Sequence, residues 1–228
     1  MKIGILQTGH VLDVLLEKHG DFSDMFKTLL DGQGFEFETY NVVDNQFPES
    51  IQDADGWLIT GSAHAAYEDH PWISRLEEFL IQSYDSDIPI VGICFGHQIL
   101  AKALGGKVEK FREGWSIGNQ SYALPGNTNE SNVIAWHQDQ VVILPDDATQ
   151  TGTSEFCENA FVTYGNKAYT MQAHPEFTTD FGRDLTKLRK AKLPINLVAD
   201  AETGFSKRLD THLMAERIAK FFKTRQAE

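Results

Sequence analysis

A cysteine between two glycines is the feature of this 228-residue chain with the clearest chemical potential. Gly92 and Gly96 each lie two residues away from Cys94. The apolar run at residues 88–93 is typical of a buried strand, and the residues after the cysteine are apolar at helical spacings. The pattern predicts a nucleophile elbow, in which a strand turns sharply into a helix and holds the middle residue in a strained conformation.

The predicted elbow would activate the Cys94 thiol. A thiol at a helix N-terminus lies beside unsatisfied N–H groups and the positive end of the helix dipole, and both favour the thiolate. The N–H of Phe95 is placed to donate to an oxyanion. Most free cysteines are only small buried hydrophobes, and Cys157, which lacks flanking glycines, is interpreted as one of these.

A cysteine nucleophile needs a base and a group that orients the base. His174 and Glu176, separated by Pro175, are the best candidates. The proline biases His174 toward an extended conformation, in which residues i and i+2 project to the same side. Glu176 is therefore expected beside the His174 ring, where it would stabilise one tautomer and the imidazolium. The alternative is a solvated surface loop, but the position directly after a strand-like segment at 168–172 favours a functional site.

Alternating strand-like and helix-like segments would position these residues. Strands are expected at 2–7, 35–40, 57–60 and 88–93, with helices at 22–30, 71–84 and 95–104 and a polar loop after residue 7. This alternation predicts an α/β domain with a parallel sheet. Later short β-type runs, at 107–111, 133–136 and 161–164, are expected to be antiparallel strands that extend or face that sheet. Helices are expected at 178–190, around 195–202, and at 206–224.

Composition limits the remaining possibilities. The 41% hydrophobic and 23% charged residues suit a single domain over residues 1–228, with a core at about 2–190 and C-terminal helices at about 195–225. Two cysteines provide no disulfide framework, and no apolar run reaches the length of a signal sequence or a membrane span. The net charge of −13 argues against nucleic-acid or anionic-membrane partners. A cytoplasmic location is expected.

Neither a metal nor an organic cofactor is expected. His64, Asp69 and His70 are conceivable metal ligands, but no second cluster has ligand spacing, and a polar loop at the active-site rim is the preferred interpretation. The sequence also contains no phosphate-binding loop and no dinucleotide-binding glycine motif.

The segment Gly-Ile-Cys94-Phe-Gly-His-Gln98, followed 80 residues after the cysteine by His174-Pro-Glu176, resembles the class I (triad) glutamine amidotransferases. The resemblance implies a flavodoxin-like α/β fold, with a mostly parallel central sheet flanked by helices and an additional antiparallel strand region. It also implies that the cysteine attacks the side-chain amide of glutamine, forms a γ-glutamyl thioester and releases ammonia. The histidine would act as base and then acid, and the glutamate would orient it.

The same resemblance implies roles for further residues. The family's second oxyanion donor comes from a glycine loop after the third strand, which corresponds to Gly61. Here Gly61 is followed by Ser62 and Ala63, whereas the GMP synthetase type has a double glycine followed by proline. Gln98 corresponds to a glutamine that helps to hold the substrate. Three consecutive residues correspond to the lining of the glutamine pocket: His137, Gln138 and Asp139.

Residues 59–73 and 113–119 more closely resemble stand-alone amidotransferase-like proteins, a group that includes the cytosolic γ-glutamyl peptidases. Three functions therefore stay open. The preferred prediction is a glutaminase that hydrolyses the γ-glutamyl amide of glutamine and supplies ammonia to a separate synthetase subunit. The alternative is a hydrolase that acts alone on glutathione-type γ-glutamyl peptides. A non-catalytic binding module is the least favoured, because the complete Cys, His and Glu set argues against it. Specificity would depend on pocket contacts around His64, Tyr67, Trp115 and His137.

Overall fold

A seven-stranded mixed sheet forms the centre of the protein in a computed structural model, which describes residues 1–126 and 128–226. Its strands are β1 (Lys2–Leu6), β2 (Glu36–Tyr40), β3 (Gly56–Ile59), β4 (Ile90–Ile93), β9 (Thr149–Gly152), β10 (Phe161–Tyr164) and β11 (Ala168–Met171). They lie in the order β2-β1-β3-β4-β11-β10-β9. The first five are parallel, and β10 and β9 extend the sheet antiparallel. The mostly parallel α/β architecture predicted from the sequence is confirmed.

Two antiparallel strand pairs lie outside the central sheet. One joins β5 (Lys107–Lys110) to β8 (Asp139–Ile143), and the other joins β6 (Ser116–Tyr122) to β7 (Ser131–His137). Antiparallel strands are predicted between residues 107 and 169 as extending or facing the sheet. In this region β9 and β10 extend the central sheet, whereas β5 with β8 and β6 with β7 form the separate pairs. β7 also reaches the segment after β11, because the His174 N–H donates to the Ile134 carbonyl at 2.8 Å.

Seven α-helices surround the sheet and the strand pairs in the described residues. They are α1 (Asp13–His19), α2 (Phe22–Leu29), α3 (Pro71–Asp85), α4 (Phe95–Ala103), α5 (Thr179–Arg189), α6 (Ile195–Gly204) and α7 (Thr211–Thr224). Short 3-10 helices lie at Val42–Asp44 and Lys190–Lys192. The first of these connects β2 to β3, so this crossover contains no α-helix. None of the helices in residues 1–126 and 128–226 combines the length and apolar character needed to cross a bilayer.

One helix and one helix boundary differ from the sequence-based expectation. Residues 13–19 form α1 rather than a loop, and the helix is held by Lys18 and His19, which contact Asp184 of α5 at 2.5 and 2.8 Å. The last helix begins at Thr211 rather than at residue 206. The residue before it, Asp210, is bound to Asn132 of β7 by two hydrogen bonds: its N–H donates to the Asn132 carbonyl, and its carboxylate accepts from the Asn132 N–H. Both differences arise from contacts between residues that are distant in the sequence.

The core lies on both faces of the sheet. One face packs against α2 and α7 through residues such as Phe26, Met214 and Phe221, and the other packs against α3 and α4. A third apolar cluster joins α1, α5 and α6 to β6 and β7. Because β1, β3, β4 and β11 are parallel, their carboxyl ends meet at one edge of the sheet, which is where α/β proteins carry their sites.

Candidate active site

The chain turns sharply at Cys94, between β4 and α4. Cys94 has φ 52° and ψ −100°, a conformation that side chains rarely adopt, and it is 5% exposed. A Cβ on Gly92 would lie 2.5 Å from the carbonyl oxygen of Gly96, and a Cβ on Gly96 would lie 2.5 Å from that of Ile59. Both glycines are therefore required by the close approach of backbone to backbone, and the predicted elbow is confirmed.

A buried histidine and carboxylate lie beside the elbow. The Nδ1 of His174 lies 2.7 Å from the Oε1 of Glu176, and the two side chains are 5% and 0% exposed. The His174 ring stacks on Phe177, with a centroid distance of 4.1 Å. Burial by itself lowers the pKa of His174, but the charges and hydrogen bonds of Glu176 and Cys94 raise this pKa to about 10. The site therefore favours an imidazolium next to the thiol.

The loop after β3 completes the surroundings of the thiol. A Cβ on Gly61 would lie 2.7 Å from the Cε1 of His174 and 3.7 Å from the Cβ of Cys94. The absence of a side chain at Gly61 thus makes room for the His174 ring beside Cys94, and any side chain at position 61 would displace the imidazole. The structure brings together Cys94, Gly61, His174 and Glu176, as the resemblance implies, with Phe95 as the first residue of α4.

Thr8, which follows β1, holds the peptide bond between Thr60 and Gly61 in place by hydrogen bonds. The Oγ1 of Thr8 lies 3.0 Å from the carbonyl oxygens of both Thr60 and Gly61, and the Thr8 N–H donates to the Oγ1 of Thr60 at 3.0 Å. The C=O and N–H of a trans peptide point in opposite directions. Anchoring the Thr60 carbonyl on Thr8 therefore turns the Gly61 N–H away from Thr8.

Sequence reasoning did not identify Thr8. Its one signal is its position at the carboxyl end of a predicted parallel strand, where site residues of α/β folds collect.

A cavity of about 420 Å³ lies over Cys94, Gly61 and His174. The substrate-binding residues implied by the resemblance all line it: Gln98, His137, Gln138 and Asp139. The Gln98 amide donates to the backbone carbonyl of Asp139 at 3.0 Å and thereby holds the start of β8 against α4. A contact of 3.2 Å between the hydroxyl of Tyr67 and the carboxylate of Asp139 joins the loop after β3 to the same strand.

His137 has unusual free hydrogen-bonding capacity. Its side chain is buried in the cavity wall, and neither ring nitrogen has a hydrogen-bond partner among the residues that the structure describes. Burial and, to a smaller extent, the nearby His174 lower the pKa of His137 to about 3. The ring is therefore neutral, and it offers one donor and one acceptor to a ligand.

The cavity continues along α5. Phe177 contacts Phe181 at a centroid distance of 4.4 Å, and Phe181, Leu185 and Arg189 all line the cavity at four-residue intervals on one helix face. At 1.5 Å per residue, Arg189 lies about 12 Å along the helix from Phe181. Lys192 lines the same region. Neither cation is among the predicted site residues, because nothing in the local sequence marks a helix end as part of a cavity.

Comparisons with known proteins agree with this geometry. The sequence model of the family described as "Glutamine amidotransferase class-I" matches residues 19–188. The γ-glutamyl peptidase 4 of Arabidopsis thaliana is 29% identical over 224 residues, which cover 91% of this chain and 89% of the relative. One subunit of the glutamine-hydrolysing GMP synthase of Halobacterium salinarum is 32% identical over 175 residues, which cover 73% of this chain and 88% of the relative.

Solved structures show the same fold. A glutamine amidotransferase from Methylobacillus flagellatus superimposes with a TM-score of 0.72 at 20% identity, over 99% of this chain and 92% of that one. A glutamine amidotransferase from Thermotoga maritima superimposes with a TM-score of 0.71 at 23% identity, over 99% and 98% of the two chains. The family model spans well over half of the sequence, so this chain belongs to the class-I glutamine amidotransferase family.

Proposed function

We propose that the protein hydrolyses γ-glutamyl amide bonds through a covalent thioester on Cys94. The observation that carries the proposal is that a strained, buried cysteine, the histidine of the His174–Glu176 pair and Gly61 line one cavity. A nucleophile, an oriented base and a backbone donor beside one cavity are the parts that acyl transfer requires. The curated relatives, named as γ-glutamyl peptidases and as part of a glutamine-hydrolysing synthase, support the same bond as the target.

In the first half of the proposed reaction, the Cys94 thiolate attacks the γ-carbonyl carbon. The negative charge that develops on the carbonyl oxygen is stabilised by the N–H groups of Phe95 and Gly61. His174 donates its Nε2 proton to the leaving nitrogen while its Nδ1–H stays bonded to Glu176. The C–N bond breaks, the amine departs, and a γ-glutamyl thioester remains on Cys94.

In the second half, the now neutral His174 takes a proton from water, and the resulting hydroxide attacks the thioester carbonyl. The C–S bond breaks, free glutamate leaves and the thiolate is regenerated beside the imidazolium. Glutamine and γ-glutamyl peptides share these steps and differ only in the amine that departs. Neutral His137 and Gln98, which line the cavity, are proposed to hold the common glutamyl part.

The far wall of the cavity favours a γ-glutamyl peptide over glutamine as the substrate. The groove along α5 runs about 12 Å from Phe181 to Arg189, the length of about three extended residues. In a chain of net charge −13, Arg189 and Lys192 form no ion pair within residues 1–126 and 128–226. We propose that they bind the terminal carboxylate of the departing peptide, since a guanidinium recognises carboxylates well.

Hydrolysis of glutamine for a separate synthetase is the second candidate function. The relative from Halobacterium salinarum, which is named as one subunit of a GMP synthase, supports it. Under this proposal the isolated protein would hydrolyse glutamine slowly until the synthetase docked, and the apolar groove along α5 would have no role in the reaction. The two candidates thus differ in their dependence on Arg189.

We expect Arg189→Ala to raise the KM for a γ-glutamyl tripeptide about tenfold, since one charge-assisted hydrogen bond to the carboxylate is lost. Glutamine hydrolysis should be unchanged, because glutamine does not reach Arg189. The measurement is glutamate release from glutathione and from glutamine by the purified protein. Lys187→Ala, which removes an exposed cation of the same helix outside the cavity, is the matched control. Equal effects on both substrates, or none on either, would contradict the peptide assignment.

Thr8→Val should lower kcat about tenfold and leave KM nearly unchanged. The substitution keeps the shape of the side chain but removes the hydroxyl that anchors the peptide before the Gly61 N–H, so one oxyanion donor is less well aimed. Thr8→Ser, which keeps the hydroxyl, should recover most of the activity. Steady-state kinetics on one γ-glutamyl substrate test this, and a kcat equal to that of the wild type in Thr8→Val would show that Thr8 does not position the loop.

A further inference from the structure

Two imidazoles and a carboxylate meet on the loop between β3 and α3. The Nδ1 of His64 lies 2.7 Å from the Oε2 of Glu68, and the Nε2 of His70 lies 3.0 Å from the same oxygen. The three side chains each offer one possible ligand atom, and these atoms lie within 4.8 Å of one another. In the sequence Asp69 is the conceivable carboxylate ligand beside the two histidines, although a polar rim loop is the preferred interpretation; the structure places Glu68 between the two rings.

The cluster is oriented by its surroundings. The second carboxylate oxygen of Glu68 accepts a hydrogen bond from the Ala65 N–H at 3.1 Å. The His64 and His70 rings meet edge to face at a centroid distance of 4.7 Å, and the His70 ring lies nearly parallel to Trp72. Trp72 in turn packs against Phe95 of the elbow helix. The Ala65 N–H and the aromatic contacts place the three side chains on one side of the loop.

We propose that His64, Glu68 and His70 bind a divalent transition-metal ion, for which Zn²⁺ is the probe. Two imidazole nitrogens and one carboxylate oxygen are a donor set that Zn²⁺ accepts readily, with one coordination position left open. At zinc–ligand distances of about 2.0–2.2 Å, tetrahedral neighbours lie about 3.4 Å apart, so no pair of donors must approach by more than about 1.4 Å.

The side chains have the freedom to make this adjustment. Those of His64, Glu68 and His70 are 37%, 40% and 41% exposed, so they can turn without disturbing the core. In the structure the ring nitrogens that face Glu68 are engaged in hydrogen bonds. A metal ion would instead take the lone pair of each of these nitrogens, and each ring would carry its proton on the other nitrogen.

The site would lie at the wall of the catalytic cavity. His64 and Glu68 line this cavity together with Cys94, whereas His70 does not. A bound ion would add positive charge to this wall and offer its open coordination position to water or to an anionic ligand. The proposal does not rest on the proposed hydrolysis, because metal binding can be measured without turnover.

The test uses Cys94→Ala protein, which lacks the thiolate that would compete for zinc. Titration calorimetry with Zn²⁺ should give one equivalent bound, and Co²⁺ should give visible absorption bands typical of low-coordinate nitrogen and oxygen ligation. Adding either His70→Ala or Glu68→Gln should weaken zinc affinity at least about tenfold, since one ligand of three is lost. His212→Ala, which removes an exposed histidine of α7, should leave the affinity unchanged.

The proposal fails if Cys94→Ala protein takes up no zinc saturably. It also fails if the affinity is the same with and without His70 and Glu68, because the ion would then be bound elsewhere. Melting temperatures of the variants should match that of their parent, as these side chains are exposed. If one variant does not fold, the other and His64→Ala give the same comparison.

Discussion

Cys94→Ala protein should release no glutamate above background from glutamine or from any γ-glutamyl peptide. Without the sulfur no thioester forms, and the remaining groups can only polarise the carbonyl. Members of a catalytic triad act as a unit, and removing the nucleophile of such enzymes costs about 10⁴-fold or more in kcat. The measurement is glutamate release over hours at high enzyme concentration, compared with wild-type protein.

The other cysteine is the matched control. Burial raises the pKa of Cys157 to about 12, so its thiol stays protonated and unreactive at neutral pH. Cys157→Ala should therefore keep activity within a fewfold of the wild type per folded molecule. A glutamine-mimicking electrophile should label the wild type once, at Cys94, and should not label Cys94→Ala. Substantial hydrolysis by Cys94→Ala would overturn the covalent mechanism, and so would labelling of Cys157 in its place.

The site features that the sequence predicts are those that depend on neighbouring residues. The elbow requires glycines two residues from Cys94, and the pairing of His174 with Glu176 is expected from an extended segment around Pro175. The structure confirms the elbow and the proximity of the pair. The pair is formed by a turn at Pro175 and Glu176, in which the Phe177 N–H donates to the His174 carbonyl at 3.3 Å, and not by an extended segment. Their chemical roles are proposals, because geometry alone does not report a rate.

Features that depend on contacts between distant segments could not be predicted in the same way. Thr8 reaches Thr60 across 52 residues, and Arg189 joins the cavity only because α5 packs along its wall. Helix α1 has one buried apolar residue, Leu15, so its sequence carries little periodicity, and the contact of His19 with Asp184 spans 165 residues. Such contacts decide both where a short amphipathic segment folds and how far a cavity extends.

Glu176→Gln should lower kcat/KM by about 10³- to 10⁴-fold, the scale seen when the acidic member of a triad is replaced by its amide. The side chain keeps its size and one oxygen for the Nδ1–H of His174, but the negative charge is lost. The Oε2 of Glu176 is buried with no partner among the described residues, whereas its Oε1 contacts the Nδ1 of His174. The interaction with His174 is therefore the main one that this buried carboxylate makes. The amide cannot stabilise the imidazolium in the same way.

The pH profile separates this electrostatic role from a purely structural one. In the wild type the pKa of His174 is raised to about 10, so the imidazolium that protonates the leaving amine persists until the pH rises through that value. Without the carboxylate, burial lowers this pKa, and the alkaline fall in kcat/KM should begin at a distinctly lower pH. Glu158→Gln, an exposed acidic residue outside the cavity, serves as the control and should shift neither the rate nor the profile. If Glu176→Gln were slow but kept the wild-type alkaline limb, Glu176 would orient the ring without setting its charge.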